Sequence, residues 1–154
     1  MTDRFEQFSF IISGIYRKLQ KIKREEMVKR GYKGAFAQYL ATLSRYEEGL
    51  TPTELCEICD KDKAAVSRII AEMEEKELVQ REKKSVRSYR SKITLTEKGK
   101  DVADFVAKRA AVAVSAVSGE IMTDEERRLF YSILDTIYQN ISKIGTEGIP
   151  TEEE

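Results

Sequence analysis

The stretch "TPTELCEICDKDKAAVSRIIAEMEE", Thr51 to Glu75, decides the architecture. Thr51 and Glu54 have the spacing of a capping box, in which each side chain satisfies a backbone N–H of the other residue. Pro52 falls at the first helical position, where its missing N–H costs nothing. The helix that begins here is short, because Asp60 to Asp62 supplies turn and cap chemistry. Asp62 then caps a longer helix through Glu75, with Val66, Ile69, Ile70 and Met73 on one face. A short helix, a tight turn and a longer amphipathic helix make a helix-turn-helix.

Working outward, "LVQR" (Leu78 to Arg81) and "KITL" (Lys92 to Leu95) alternate apolar and polar residues, the pattern of half-buried strands. They predict a β-hairpin whose tip carries Lys83, Lys84, Arg87 and Arg90. Thr96 caps a long helix through about Val117. Upstream, Gly31 to Gly34 interrupt the chain, a helix runs from about Ala35 to Tyr46, and Gly49 ends it. At the ends lie two amphipathic stripes. Phe5, Phe8, Ile12, Ile15, Leu19 and Ile22 step by three and four residues, a heptad seam that Ile11 and Tyr16 widen. Phe130, Ile133, Ile137, Ile141 and Ile144, with Leu134 and Tyr138, form the second, behind a capping box at Thr123 and Glu126. A seam this long has little to bury against in so small a domain, so both stripes are expected to dimerise the chain.

Composition excludes much. The chain has 154 residues, enough for one ordinary domain with a real core. With 41% hydrophobic and 35% charged residues, the pattern is that of a water-soluble, helix-rich protein. The longest nearly apolar run, Ala110 to Val117, is too short to span a bilayer. The polar start "MTDRFEQFSF" does not resemble a signal peptide, and a cytoplasmic location is expected. Histidine is absent, which removes His-based triads and zinc sites. No Gly-rich phosphate loop occurs. No enzyme and no cofactor are expected.

Charge is unevenly spread beneath a net value of zero. From Gln80 to Lys100, eight basic residues face only Glu82 and Glu97, which leaves +6. A second basic stretch runs from Arg17 to Lys33, and the chain ends in "TEEE". Local basic patches are the usual footprint of a nucleic-acid surface, although charge runs are also simply solvated faces.

Together, "LTPTELCEICDKDKAAVSRIIAEMEEKELVQRE" and "YRSKITLTEKGK" resemble the MarR family of bacterial transcription regulators. The matching motifs are Leu50-Thr51, the recognition-helix run Asp62 to Arg68, the first wing strand Met73 to Arg81, and Leu95 to Gly99 after the wing. The two quoted stretches cover about a third of the chain. The resemblance implies a mainly α, winged helix-turn-helix fold with a small β-hairpin wing. It also implies an obligate homodimer with interlocked N- and C-terminal helices, reading a palindrome in double-stranded DNA. The parts expected are an N-terminal dimerisation helix (1–32), the winged helix-turn-helix (33–96), linker and C-terminal dimerisation helices (97–146) and an acidic tail (147–154). The chain departs from the family pattern in three places. Glu77 stands where a glycine is usual. The Asp-x-Arg wing motif is absent, with Arg87 and Arg90 flanking its place. Ala64 and Ala65 replace hydroxyl residues.

The expected DNA contacts are Lys63, Ala64, Ala65, Ser67 and Arg68 on the recognition helix and Lys83, Lys84, Arg87 and Arg90 on the wing. Thr51 and Thr53 would meet the backbone at a helix N-terminus. Dimerisation falls to Phe5, Phe8, Ile12, Ile15 and Leu19 with Phe130, Ile133, Ile137 and Ile141. Tyr16, Phe36 and Tyr39 are a candidate pocket for a small-molecule effector of a repressor, although aromatics at helical spacing are more often plain core. The C-x-x-C pair Cys56 and Cys59 is expected to pack as small hydrophobes. A zinc site needs about four ligands, and a dimer partner's pair would lie roughly 34 Å away. The alternatives are a protein-interaction module that never touches DNA and a thiol-based redox regulator using Cys56 and Cys59. An interaction module has no need of so basic a wing, and a redox switch needs an exposed, low-pKa thiol.

Overall fold

A computed structural model describes residues 2–82, 91–118 and 121–148, with only the backbone described at residues 2, 3, 5, 117, 118 and 147. Two compact units divide the chain, Met1–Val112 and Ala113–Glu154. The elements are α1 (Thr2–Lys29), α2 (Phe36–Leu43), α3 (Pro52–Cys59), α4 (Lys63–Glu75), β1 (Val79–Arg81), β2 (Ile93–Leu95), α5 (Glu97–Ser118) and α6 (Asp124–Glu147). This is the mainly α winged helix-turn-helix that the sequence predicts.

In the first unit, α2, α3 and α4 close around one core with the two-stranded sheet. Phe36, Leu40, Leu55, Val66, Ile70, Met73, Leu78 and Ile93 are its most buried members. Their burial on the inner faces is what holds these short helices, since helices of 8 and 13 residues are marginal alone. The strands pair antiparallel in the register Val79–Leu95, Gln80–Thr94, Arg81–Ile93. Leu50 adds an isolated bridge to β2, exchanging both backbone hydrogen bonds with Ile93 (3.1 and 2.8 Å). Nothing in the sequence near Leu50 signals a strand, because a single bridged residue has no alternation to show. Gly49 makes the approach feasible: it has φ +76°, and a Cβ there would lie 2.7 Å from the Ile93 carbonyl oxygen.

Helix α2 ends three residues earlier than its pattern suggests. Ser44 turns its hydroxyl back onto the Leu40 carbonyl (2.7 Å), and the amides of Arg45 and Tyr46 bond three residues back rather than four. Such tightening satisfies the last carbonyls while ending the α-helix.

Helix α1 is only partly peripheral. Met27 is fully buried in the core and Glu26 nearly so. The Glu26 carboxylate receives Lys29 Nζ and Arg109 Nε, the latter from α5 at 3.1 Å. The Lys29 hydrogen bond, then that of Arg109, holds its pKa below the usual carboxylate value against the opposing effect of burial. One turn on, the Arg30 guanidinium lies 3.9 Å from the Phe105 ring centroid. The N-terminal part of α1 instead exposes Phe8, Phe10, Ile11, Ile12, Ile15 and Tyr16. Leu19 and Ile22 are half-buried, and the Phe5 side chain lies outside those described.

In the second unit, α6 starts at the predicted box: Thr123 Oγ1 accepts from Glu126 N, and Glu126 Oε2 accepts from Thr123 N at 2.8 Å. Phe130, Ile133, Ile141 and Ile144 are exposed, and Ile137 is half-buried.

Candidate nucleic-acid interface

The predicted capping box at α3 is present. Thr51 N donates to Glu54 Oε2 (2.7 Å) and Glu54 N to Thr51 Oγ1 (3.3 Å). The Thr51 hydroxyl also donates to Glu54 Oε2 at 2.8 Å, so both its roles are used inside the protein. Thr53 is exposed. Of the two threonines assigned to a DNA backbone, the geometry therefore leaves Thr53 available and commits Thr51.

Between α3 and α4 the chain turns in three residues. Asp60 is left-handed (φ 51°), with Lys61 N bonded to Cys56 O and Asp60 N to Glu57 O. This is the Schellman closure, usually built on glycine. Asp62 then caps α4, its Oδ1 accepting from Ala65 N at 2.9 Å. That amide hydrogen bond holds the Asp62 carboxyl below its ordinary range, as Thr51 does for Glu54.

Helix α4 divides cleanly. Val66, Ile70 and Met73 are buried, whereas Lys63, Ala64, Ser67, Arg68 and Ala71 are exposed along the opposite side. Ala65 departs from expectation, since it is half-buried and faces a cavity rather than the outer side. The cavity, about 770 Å³, lies among α1, α2, the α3–α4 turn and α4. Tyr16 and Tyr39 line it. Phe36 does not; it is 2% exposed and belongs to the core, where the aromatic ring fills the space between helices. The walls carry Arg17, Arg24, Lys33, Lys61 and Arg68 against Asp60 and Glu72. Arg68 thus sits where the exposed face of α4 meets the cavity. This set was not found from sequence, because its members come from four elements with no shared motif.

The family's glycine position is occupied by Glu77 in the left-handed region (φ 59°). Leu78 N bonds to Met73 O and Glu77 N to Glu74 O, so the same Schellman closure forms without glycine. The base of the wing is less positive than the sequence count. Arg81 Nε meets Glu74 (2.9 Å), Lys98 Nζ meets Glu77 (3.5 Å), and Lys100 Nζ meets Glu97 (2.7 Å). Glu74 and Glu77 come from outside the stretch that was counted. Lys83, Lys84, Arg87 and Arg90, the predicted wing tip, lie outside the described residues.

Cys59 is buried, its thiol 3.7 Å from the Thr42 hydroxyl, and Cys56 is half-buried against the same core. Burial pushes the Cys59 thiol pKa up, the opposite of what a reactive thiolate needs. Among the described residues no group of three or more acidic, cysteine or histidine side chains gathers as a metal site. Nor is any helix among them long and apolar enough to cross a membrane.

A short turn ahead of an amphipathic helix with a polar outer face, followed by a hairpin, defines the winged-helix class. Residues 25–87 match the sequence model of the MarR family. No curated protein sequence matches. Among solved structures, a MarR transcriptional regulator from Methanosarcina mazei Go1 is similar, with 23% identity and a TM-score of 0.73, over 90% of this chain and 99% of that one. A MarR-family regulator from Silicibacter pomeroyi has 24% identity and a TM-score of 0.69, over 86% and 88%. A chain from Listeria monocytogenes described as of the MarR family, complexed with 26mer DNA, has 18% identity and a TM-score of 0.68, over 92% and 95%. Residues 25–87 are thus similar to the MarR family, and the fold of the chain is that of these solved structures.

Proposed function

We propose that this protein is a sequence-specific DNA-binding transcriptional regulator, a ligand-responsive repressor that acts as a homodimer on a palindromic operator. The observation that carries the reading is the outer side of α4. Lys63, Ser67 and Arg68 stand exposed on its first two turns, with the small Ala64 between them, on a helix anchored from behind by Val66, Ile70 and Met73. Side chains near the start of a recognition helix reach base edges in the major groove. The DNA complex of the similar Listeria chain supports the assignment. In this reading the wing tip, with Lys83, Lys84, Arg87 and Arg90, follows the phosphates and enters the minor groove, while Thr53 and the α3 N-terminus touch the backbone.

The dimer follows from apolar surface. Large exposed apolar patches mark interaction sites. The N-terminal part of α1 and the length of α6 each present such a stripe, and a second copy is the occupant that covers both. The ligand response rests on the cavity, whose lining includes Arg68 and Ala65 of the reading helix, so an occupant would act directly on α4.

The test separates affinity from specificity. Phosphate contacts carry affinity, and base contacts carry discrimination. Arg68→Ala should weaken the duplex selected from a random library more than scrambled DNA, by roughly 1–3 kcal/mol for a bidentate contact. Lys83→Ala with Lys84→Ala should weaken both alike and reduce the salt slope by about one per lost phosphate contact. If no duplex is enriched, or Arg68→Ala keeps the preference, DNA reading by α4 is wrong. A chain lacking residues 1–22 that stays dimeric and folded would remove α1 from the dimer.

A further inference from the structure

Lys33 lies in the turn between α1 and α2, yet its Nζ reaches Glu72 Oε2 of α4 at 2.7 Å, across 39 residues of sequence. Glu72 is one helical turn beyond Arg68. Residues four apart on a helix are neighbours, with Cβ atoms about 5–6 Å apart, and an acid so placed is a ready partner for an arginine. All three side chains line the same cavity. The Glu72 side chain is only 28% exposed, so its carboxylate has less water than a surface acid and needs a counter-charge. Asp62, an acid that does interact electrostatically with Arg68, already accepts from the Ala65 amide. Arg24, another cation on the cavity wall, donates its Nε to Gln20 O.

We infer that Lys33 is a positioning residue for DNA reading: by occupying Glu72 it keeps the Arg68 guanidinium from folding down onto its own helix. The inference rests on the proposed role of Arg68. Without Lys33, Glu72 draws Arg68 away from the outer face of α4, and the protein must break that pair before it can read a base. Ion pairs at exposed positions are weak, so the effect is a few-fold rather than an abolition.

The experiment uses the full chain and two duplexes, the one the wild-type protein enriches from a random library and a scrambled one of equal length. Wild type, Lys33→Ala, Glu72→Gln, the double variant and Lys33→Arg are titrated by fluorescence anisotropy, and a thermal melt of each confirms folding. Lys33→Ala should bind the enriched duplex about two- to fivefold more weakly, in line with the strength of an exposed pair, with scrambled DNA changed less. Glu72→Gln should keep the wild-type preference, and Lys33→Ala with Glu72→Gln should recover it. Lys33→Arg should also keep it. A structural staple behaves differently, since Glu72→Gln would then be as harmful as Lys33→Ala and the double variant no better; that pattern overturns the inference. So does an equal loss on both duplexes without rescue, which would make Lys33 a phosphate contact, and so does an unchanged Lys33→Ala. If Arg68→Ala itself keeps the preference, the reading of α4 fails and this inference with it. Failure in the Lys33 variants alone leaves Arg68 standing.

Discussion

Gly99→Ala should be among the most damaging single-methyl changes in the first unit. Gly99 lies in the first turn of α5, and its backbone runs against Leu78, just ahead of β1. A Cβ built there would sit 1.9 Å from the Leu78 carbonyl oxygen and 2.9 Å from its carbon. That oxygen cannot yield easily, because it accepts from Thr96 N (3.1 Å), while Gly99 N donates to Thr96 Oγ1 (3.0 Å). Restoring ordinary contact means moving the α5 N-terminus by more than an ångström and loosening both bonds. Two hydrogen bonds at about 1 kcal/mol each and an overpacking cost of about 1–3 kcal/mol outweigh the roughly 1 kcal/mol by which alanine favours a helix over glycine. The net loss is about 2–4 kcal/mol. Urea titration followed by circular dichroism measures it, with Gly145→Ala in α6 as control. Nothing lies within 4 Å of a Cβ at Gly145, so that variant should be neutral or more stable. A Gly99→Ala protein with the wild-type midpoint would refute the account of this contact.

Glu77→Gly should raise stability by about 0.5–1 kcal/mol, since glycine enters the left-handed region without the Cβ penalty but loses more chain entropy; Glu75→Gly, inside α4, should lower it. Denaturant midpoints of the pair check this, and a destabilised Glu77→Gly would mean that its Lys98 contact matters more than its backbone. Cys56→Ala with Cys59→Ala should cost of order 1–3 kcal/mol in lost core volume and leave DNA binding intact, and thiol reagents should label native Cys59 more slowly than Cys56. Release of DNA on mild oxidation would contradict it. The carboxyls of Glu54 and Glu126 are held low by the N-cap amides of Thr51 and Thr123, and that of Asp62 by the Ala65 amide. Because their folded pKa values are depressed, their contribution is complete above the unfolded values of 4.5 for Glu and 3.8 for Asp, and is lost as pH falls through the folded ones. Glu54→Gln with Glu126→Gln should therefore flatten the loss of stability in acid, as read from urea midpoints at a series of pH values.

What was legible in the sequence was what is local. Thr51-x-x-Glu54, Asp62 and Thr123-x-x-Glu126 each carry their own hydrogen-bonding logic within four residues, and every one of these termini stands where its motif placed it. The two short strands showed through their alternation. What the sequence concealed was long-range. Leu50 joins the sheet through a partner 43 positions away, and Lys33 meets Glu72 across 39. Glu74 and Glu77 neutralise part of a stretch counted as +6, since a linear count cannot see acids contributed by α4 and the turn that follows it. Phe36 and Tyr39 share a helix and an aromatic character, but only Tyr39 reaches the cavity. Helical spacing alone could not tell them apart.

The local signals also bear on how α4 is presented. Helices as short as α3 and α4 do not set their own ends, so their placement depends on caps and on the core behind them. Here the turn between them is closed by backbone bonds at Asp60 and Lys61, by the Asp62 carboxylate and by Gln38 Nε2 donating to Cys59 O, all made within the protein. The polar side chains nearest the turn are thus divided. Thr51 and Asp62 are spent on geometry, and Lys63, Ser67 and Arg68 remain outside. A motif-based carry-over treats the threonines at the start of α3 as equals. The hydrogen bonds distinguish them, because an added acceptor for the Thr51 hydroxyl would have to displace Glu54 from its box. Pro52 has no N–H, and the amides of Thr51, Glu54 and Leu55 are bonded within the protein, so a phosphate at this N-terminus would be met by the hydroxyl and amide of Thr53, with Thr51 holding the helix that presents them.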